Sequence, residues 1–484
     1  MRFDPCEASL RDLGTAMRAG RISAAGLVAC YLERIAAFDR VGPRINAISH
    51  LNPAAMREAL ALDEELRMQG PRGPLHGMPM VVKDNIDTVG LPTTAGCAAL
   101  GRACPAADAA SVARLRAAGA IVLAKANMSE LAASNGRFGY SSASGLTLNP
   151  YRLSRNASGS SSGSGAAVAA NLAAFGLGTD SFGSVRGPAC VHALAGMRPT
   201  HGLLDAGGVL PLAPSFDTVG PLARSAADAA VVLASLAPEA GFTVEPGSLA
   251  GRRLGIVGNF GGGNGEIDAL FAAATQAMRA AGAMTIPVHL PAGAQTLYAD
   301  LLGDITRSEW VRGLDAYLAR LPAGAPASAS CLLDSILATP ALSAGMNPLT
   351  LVALQDAVQT RGTPPQAGMA EVRRLGAMLD DIFHAEDLAA LVFPTMACPA
   401  SPRFDMADAT YHCRAAQPLA AMHIASATGF PEISVPMGFT QAGVPAGVSW
   451  LGRAGSDALL LSLASAFEQA TRHRRPPAST PTLR

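Results

Sequence analysis

The sequence predicts an α/β fold built as one large domain, and three observations carry that reading. Short apolar, β-prone runs alternate with alanine- and leucine-rich stretches of helical spacing along nearly the whole chain, as expected for a sheet covered by helices. Residues 252–290 hold a β-α-β unit: a strand over 252–257, a helix over 267–280 and a strand over 284–290. The 484 residues could hold about three average domains by length, yet large α/β enzymes often form one, and no internal repeat divides residues 1–484.

Each element has its own signal. Leu10, Leu13 and Met17 recur at helical spacing until Gly20 stops the helix, and Ser23 is placed to cap a second one carrying Leu27, Val28, Tyr31 and Ile35. A third helix runs over 54–68 and ends at Gly70-Pro71. Met80-Val81-Val82 suits a buried strand that delivers Lys83 at its end. A helix over 108–119 leads to a strand over 120–124 that stops at Lys125, which is expected to anchor the turn that follows. Ala166 to Gly178 is too rich in alanine to be anything but a buried helix and a short strand. A Gly/Pro-rich passage runs from Pro199 to Pro221, followed by a helix over 224–236. Residues 297 to about 389 are mostly helical, with a looser patch at 321–329, and read as a helical excursion from the sheet. Strands resume at 391–393 and 433–435, a helix covers 457–471, and the tail 474–484 is expected to fray.

Composition narrows the function classes. A formal charge of zero and a pI near 7.1 give no reason to expect nucleic acid or an anionic membrane as partner, so a small neutral substrate fits better. No run approaches the roughly 18 uninterrupted apolar residues of a membrane span. The Met1-Arg2-Phe3-Asp4-Pro5 start lacks a secretory pattern, so the cytoplasm is the expected location. The eight cysteines, at 6, 30, 97, 104, 190, 331, 398 and 413, form no C-x-x-C pair and are expected as reduced thiols. The nine histidines show no ligand spacing, so neither metal nor cofactor is implied.

Of 37 basic residues only two are lysines, Lys83 and Lys125. Arginine cannot give up its proton at any working pH, whereas a desolvated lysine can serve as a general base. At the end of a buried strand, Lys83 is either such a base or half of an ion pair with Asp84 or another acid, and these residues alone leave both open.

Two Ser/Gly clusters, Ser158 to Gly165 and Thr179 to Gly187, bracket the alanine-rich segment. Glycine lets backbone approach a reacting group closely, and a hydroxyl supplies a nucleophile or a proton relay. A flexible linker would separate segments of independent composition, but Ala166 to Leu172 continues without a break as a helix. Gly159-Ser160-Ser161-Ser162-Gly163 matches G-x-S-x-G, which would make Ser161 the nucleophile; that motif needs a strand directly before it, and residues 149–157 carry proline, two arginines and two asparagines. A phosphate loop lacks its G-K-[ST] ending here.

Taken together, Pro79-Met80-Val81-Val82-Lys83-Asp84-Asn85, Leu91 to Gly96, Asn127-Met128-Ser129-Glu130, Gly159 to Ser164, Gly178 to Ser184 and Gly429 to Gly438 resemble the amidase signature family over nearly the whole chain, most strongly from about 74 to 225. The resemblance implies a mixed, mostly central β-sheet covered by helices on both faces. It implies Ser184 as nucleophile, Ser160 as a bridging serine after a cis peptide bond, and Lys83 as a base whose pKa burial must lower. Backbone N–H groups of Ser181, Phe182, Gly183 and Ser184 would form the oxyanion hole, and Met128 and Ser129 would line the substrate site. The implied reaction is cleavage of a small-molecule or peptide amide through a serine acyl-enzyme, with release of ammonia or an amine and a carboxylic acid. No cofactor is implied, and assembly as a homodimer is compatible with the resemblance.

The family often has two glycines before the nucleophile, and here the first position is Phe182, which a glycine-only conformation would not admit cheaply. Arg186 resembles a structural arginine of the family, paired with Asp180. Asn149-Pro150-Tyr151 and Arg155-Asn156, with Glu309-Trp310 and Tyr317-Leu318 more loosely, resemble the bacterial peptide amidase branch. The alternatives are the glutaminase component of a tRNA amidotransferase and, more remotely, a binding protein that has lost its chemistry, a reading that rests on Phe182.

Overall fold

The alternation read in the sequence becomes one continuous sheet. In this computed structural model, which describes residues 3–242, 247–362 and 366–483, the strands are β1 (Ile48–Leu51), β2 (Pro79–Lys83), β3 (Ile121–Ala126), β4 (Tyr140–Ser141), β5 (Gly145–Leu146), β6 (Phe175–Asp180), β7 (Ala195–Arg198), β8 (Thr218–Ala223), β9 (Arg253–Val257), β10 (Met284–Val288), β11 (Ala390–Pro394), β12 (Glu432–Phe439) and β13 (Pro445–Leu451). Eleven of them form the sheet in the order β1-β3-β2-β6-β8-β7-β12-β13-β11-β9-β10, while β4 and β5 pair as a separate hairpin. β2 lies parallel to both β3 and β6, β9 lies parallel to both β10 and β11, and the remaining pairs are antiparallel. The sheet is therefore mixed, and helices flank it in a single α/β domain.

Parallel strands covered on both faces read as unbroken apolar runs, which is why β2, β3 and β11 are legible in the sequence. The helix signals hold as well. Ser9 and Asp12 form a capping box on Leu10–Arg18, and Ser23 Oγ accepts from the Gly26 N–H at 3.0 Å to cap Ala24–Arg34. The β-α-β unit forms as β9, the helix Gly265–Ala280 and β10, with Met284 opposite Arg253. Four strands of the eleven-stranded sheet escape a sequence reading. β1, β7, β8 and β13 contain Ser, His, Gly or Pro, and their pairing comes from neighbours distant in sequence rather than from their own β propensity.

The excursion consists of helices Gly303–Leu318, Ala329–Ala338, Pro340–Gly345, Pro348–Thr360 and Gln366–Ala385. Its Trp310, Leu314, Leu332 and Leu354 pack with Met128, Leu131 and Leu210, so it roofs the loops at the carboxyl end of β3.

Two expectations are corrected. The tail does not fray: buried Arg34 donates to the carbonyls of Thr480 and Pro481, both at 2.9 Å, Ser479 Oγ donates to Pro150 O, and Arg474 pairs with Glu7 at 2.7 Å. A guanidinium with several donors satisfies the tail's carbonyls, and the sequence carries no signature of that. Nor are all cysteines reduced thiols, because Cys398 and Cys413 are joined by a disulfide that closes a loop of sequence separation 15; the other six are not disulfide-bonded. Chain return brings the two Cα atoms to 5.5 Å, within bridging range, without any close spacing in sequence. Among the described residues no helix is long and apolar enough to cross a membrane.

Candidate active site

The candidate residues meet at the carboxyl ends of the parallel strands β2, β3 and β6, where open α/β sheets place their ligands. β2 is wholly buried and ends at Lys83. The side chain of Lys83, itself fully buried, puts Nζ 2.8 Å from Ser160 Oγ, 2.6 Å from Thr179 Oγ1 and 3.2 Å from Thr179 O. Asp84, one residue on, points to the other side of the strand and pairs with Lys125 at 3.2 Å. Lys125 also donates to Pro92 O and Thr93 Oγ1, so it anchors the turn as expected. Among the described residues no carboxylate lies within ion-pair distance of Lys83. Burial lowers its pKa to about 7, against the opposing pull of Asp217 and Asp180.

The first Ser/Gly cluster is a packed turn leading into the helix Ser162–Ala169, every residue of which is buried. The Gly159–Ser160 peptide is cis. A Cβ on Gly163 would overlap backbone atoms of Asn127 and Ala47, so this position requires glycine. Ser161 Oγ donates to Thr179 O at 3.2 Å and accepts from the Thr179 N–H at 3.3 Å; it is fully buried and tied to β6. No strand leads directly into it, the last before it being β5 at Gly145–Leu146, so the nucleophile-elbow reading fails structurally. The Ser161 N–H donates to Ser184 O at 3.2 Å, which joins the two serine clusters directly. The Ser129 N–H donates to Ser160 O at 3.1 Å, and Ser129 Oγ accepts from the Gly139 N–H at 2.9 Å, so Ser129 holds the Ser160 backbone while Met128 packs beneath the excursion.

The second cluster is folded around one carboxylate. Asp180 accepts from the N–H groups of Gly183 at 2.9 Å and Val185 at 3.0 Å, and from the guanidinium of Arg186 at 2.8 and 3.0 Å. Arg198 approaches the same carboxylate at 3.3 Å, and Arg186 also reaches Glu432 at 2.5 Å. Burial alone would raise the Asp180 pKa, but Arg186 and Arg198 override it and hold the carboxyl well below its usual range. Gly183 takes the left-handed conformation at φ +97°, and a Cβ there would come within 2.5 Å of Met422 Sδ. Phe182 does not have a positive φ, so the departure from the double glycine leaves the loop unstrained there. With the Gly183 N–H engaged by Asp180, the amides of Ser181, Phe182 and Ser184 are those without a protein acceptor among the described residues.

Sequence reasoning missed three contributors. Thr179 makes two of the three polar contacts to Lys83, and its place in the Gly-Thr-Asp motif was the available signal. Asp217 accepts the Ser181 hydroxyl and the N–H groups of Leu212 and Ala213; it sits in the Gly/Pro-rich passage, which reads as connection only. His423, alone on an alanine-rich helix, gives no signal at all.

Comparison with known proteins shows the family of the chain. The peptide amidase of Stenotrophomonas maltophilia superposes with a TM-score of 0.86 at 36% identity, covering 97% of this chain and 98% of that one. A probable amidase of Arabidopsis thaliana is 30% identical over 521 residues, covering 98% of this chain and 92% of the relative. The A component of the glutamyl-tRNA(Gln) amidotransferase of Deinococcus deserti is 34% identical over 458 residues, covering 90% and 92% respectively. The Amidase family model matches residues 26–461, and with most of its length so matched the chain belongs to the Amidase family.

Proposed function

We propose that this amide hydrolase works through a serine acyl-enzyme, with Ser184 as nucleophile, Ser160 as proton relay and neutral Lys83 as base. One observation carries the reading: a fully buried amine without a carboxylate partner among the described residues lies 2.8 Å from a serine hydroxyl. A neutral amine has two hydrogens and one lone pair. The hydrogens suit Thr179 O and Thr179 Oγ1, and the lone pair is left for the Ser160 hydroxyl.

Ser184 Oγ attacks the amide carbonyl, its proton passes to Ser160 Oγ, and the Ser160 proton passes to Lys83. The carbonyl oxygen becomes an oxyanion that the amides of Ser181, Phe182 and Ser184 receive, with the Gly183 amide already committed to Asp180. As the carbon–nitrogen bond breaks, the leaving nitrogen takes the proton back along the same path, and ammonia or an amine departs. Water then attacks the acyl ester, losing its proton by the same relay, and the carboxylic acid leaves with Ser184 restored.

The substrate is a carboxamide or peptide amide, a reading supported by similarity to a peptide amidase along nearly the full length of both chains. The test is ammonia release by the purified chain, without any partner, from a panel of aliphatic, aromatic and peptide amides. Release from glutamine only in the presence of further protein components would favour the amidotransferase reading, which the Deinococcus relative keeps in view.

A further inference from the structure

Any substrate must reach Ser184, which is 9% exposed, across the surface that borders it. From Ser160 to Pro199 every residue is buried except one, Phe182. The residue that departs from the family pattern is thus the one whose side chain meets the outside, two positions before the nucleophile.

Three rings from three other parts of the chain gather on it. The ring centroids of Phe216, Tyr298 and His423 lie 5.4, 5.1 and 6.4 Å from that of Phe182, the last two edge-on at 80°, and Tyr298 and His423 are themselves 5.4 Å apart. Tyr298 stands at the start of the helical excursion and is 41% exposed, so its ring continues the Phe182 surface outward. His423 heads the helix His423–Thr428 and is 9% exposed, like Ser184 itself. Its Nδ1 is buried with no hydrogen-bond partner among the described residues. Burial, with Arg186 adding to it, lowers the His423 pKa to about 4, so the imidazole is neutral at pH 7 and offers no charge to an anionic group. Phe182, Tyr298 and the neutral imidazole of His423 thus form an aromatic cluster reached two positions before the nucleophile, against which the ring of a substrate can pack edge-on.

Resting on the acyl-enzyme reading above, we propose that Phe182, Tyr298 and His423 form the acyl subsite, and that it selects amides whose acyl portion carries a neutral aromatic ring over aliphatic or carboxylate-bearing ones.

The experiment compares kcat/KM for phenylacetamide, hexanamide and succinamic acid. The ring-bearing amide is expected to lead hexanamide by about tenfold, from the usual strength of aromatic pairs, and succinamic acid to trail both. Tyr298→Ala, at an exposed position, should reduce the phenylacetamide-to-hexanamide ratio at least about fivefold. Calorimetric binding of the same amides to Ser184→Ala repeats the comparison without turnover and should give the same order. A ratio near one, or one that Tyr298→Ala leaves unchanged, overturns the subsite. If instead no amide turns over while Ser184→Ala still prefers phenylacetamide, the acyl-enzyme reading fails and the subsite stands.

Discussion

Replacing Lys83 by arginine and by methionine separates a base from a structural cation. With a pKa near 7, Lys83 is about half neutral at pH 7, so kcat/KM should fall roughly tenfold per unit below that value and level off above it. Lys83→Arg keeps the charge but cannot accept a proton, and loss of general-base catalysis should cost about 10²–10⁴-fold in kcat/KM. Stability reports the same pKa independently. Between about 7, where the folded chain releases the Lys83 proton, and its unperturbed value, the unfolded chain binds more protons, so wild-type stability rises with pH by up to about 1.4 kcal/mol per unit. That contribution is complete above the unfolded pKa and is lost as pH falls toward the folded one. Lys83→Met has no such group, so in urea melts the stability of wild type relative to Lys83→Met should grow by about 2 kcal/mol between about pH 7.5 and 9. Turnover by Lys83→Arg within about tenfold of wild type, or parallel pH dependences of stability, would refute the argument.

The other predictions concern the two serine clusters and the cysteines. Ser184→Ala should abolish both turnover and fluorophosphonate labelling, while Ser161→Ala, which removes a buried contact to Thr179, should leave measurable activity; a label found on Ser161 would reverse the assignment. Gly183→Ala forces a Cβ into a left-handed position against Met422 and should lower stability by about 1–3 kcal/mol, read from the urea midpoint, along with activity; a neutral effect would contradict the loop geometry. Denatured without reductant, the chain should titrate six thiols with Ellman's reagent and eight after reduction, and reducing the Cys398–Cys413 bond should cost about 3 kcal/mol in the chain-entropy picture.

What is legible in the sequence follows from how local each signal is. β2, β3 and the helix caps at Ser9 and Ser23 are written in a few adjacent residues, and they form where expected. The meeting of Lys83 and Ser160 is legible through motifs that are spaced far apart yet individually recognisable, and Thr179 sits inside one of them. β13, Pro445–Leu451, is not, because proline and glycine hide a strand whose place is set by pairing with β12 and β11. The docked tail rests on side-chain donors some hundreds of residues away, as when Arg34 receives Thr480, and the disulfide likewise depends on where the chain returns. Phe182 is legible as a departure, but that it is harmless to the backbone emerges only from the dihedral angles, with Gly183 supplying the left-handed residue.

The charges around Asp180 impose an order of assembly. Asp180, Arg186 and Arg198 are synthesised close together, but Glu432, which takes the remaining arm of Arg186, arrives only after another 234 residues, counted from Arg198 to Glu432. Until β12 pairs with β7, the nascent centre holds two guanidiniums against one carboxylate, an excess positive charge that cannot be buried cheaply. The loop carrying Ser184 therefore cannot settle while the chain is half made, and a fragment ending before residue 432 should remain open and inactive at this centre even with Lys83, Ser160 and Ser184 all present. Competence arrives only once β12 has been made and carries Glu432 to Arg186.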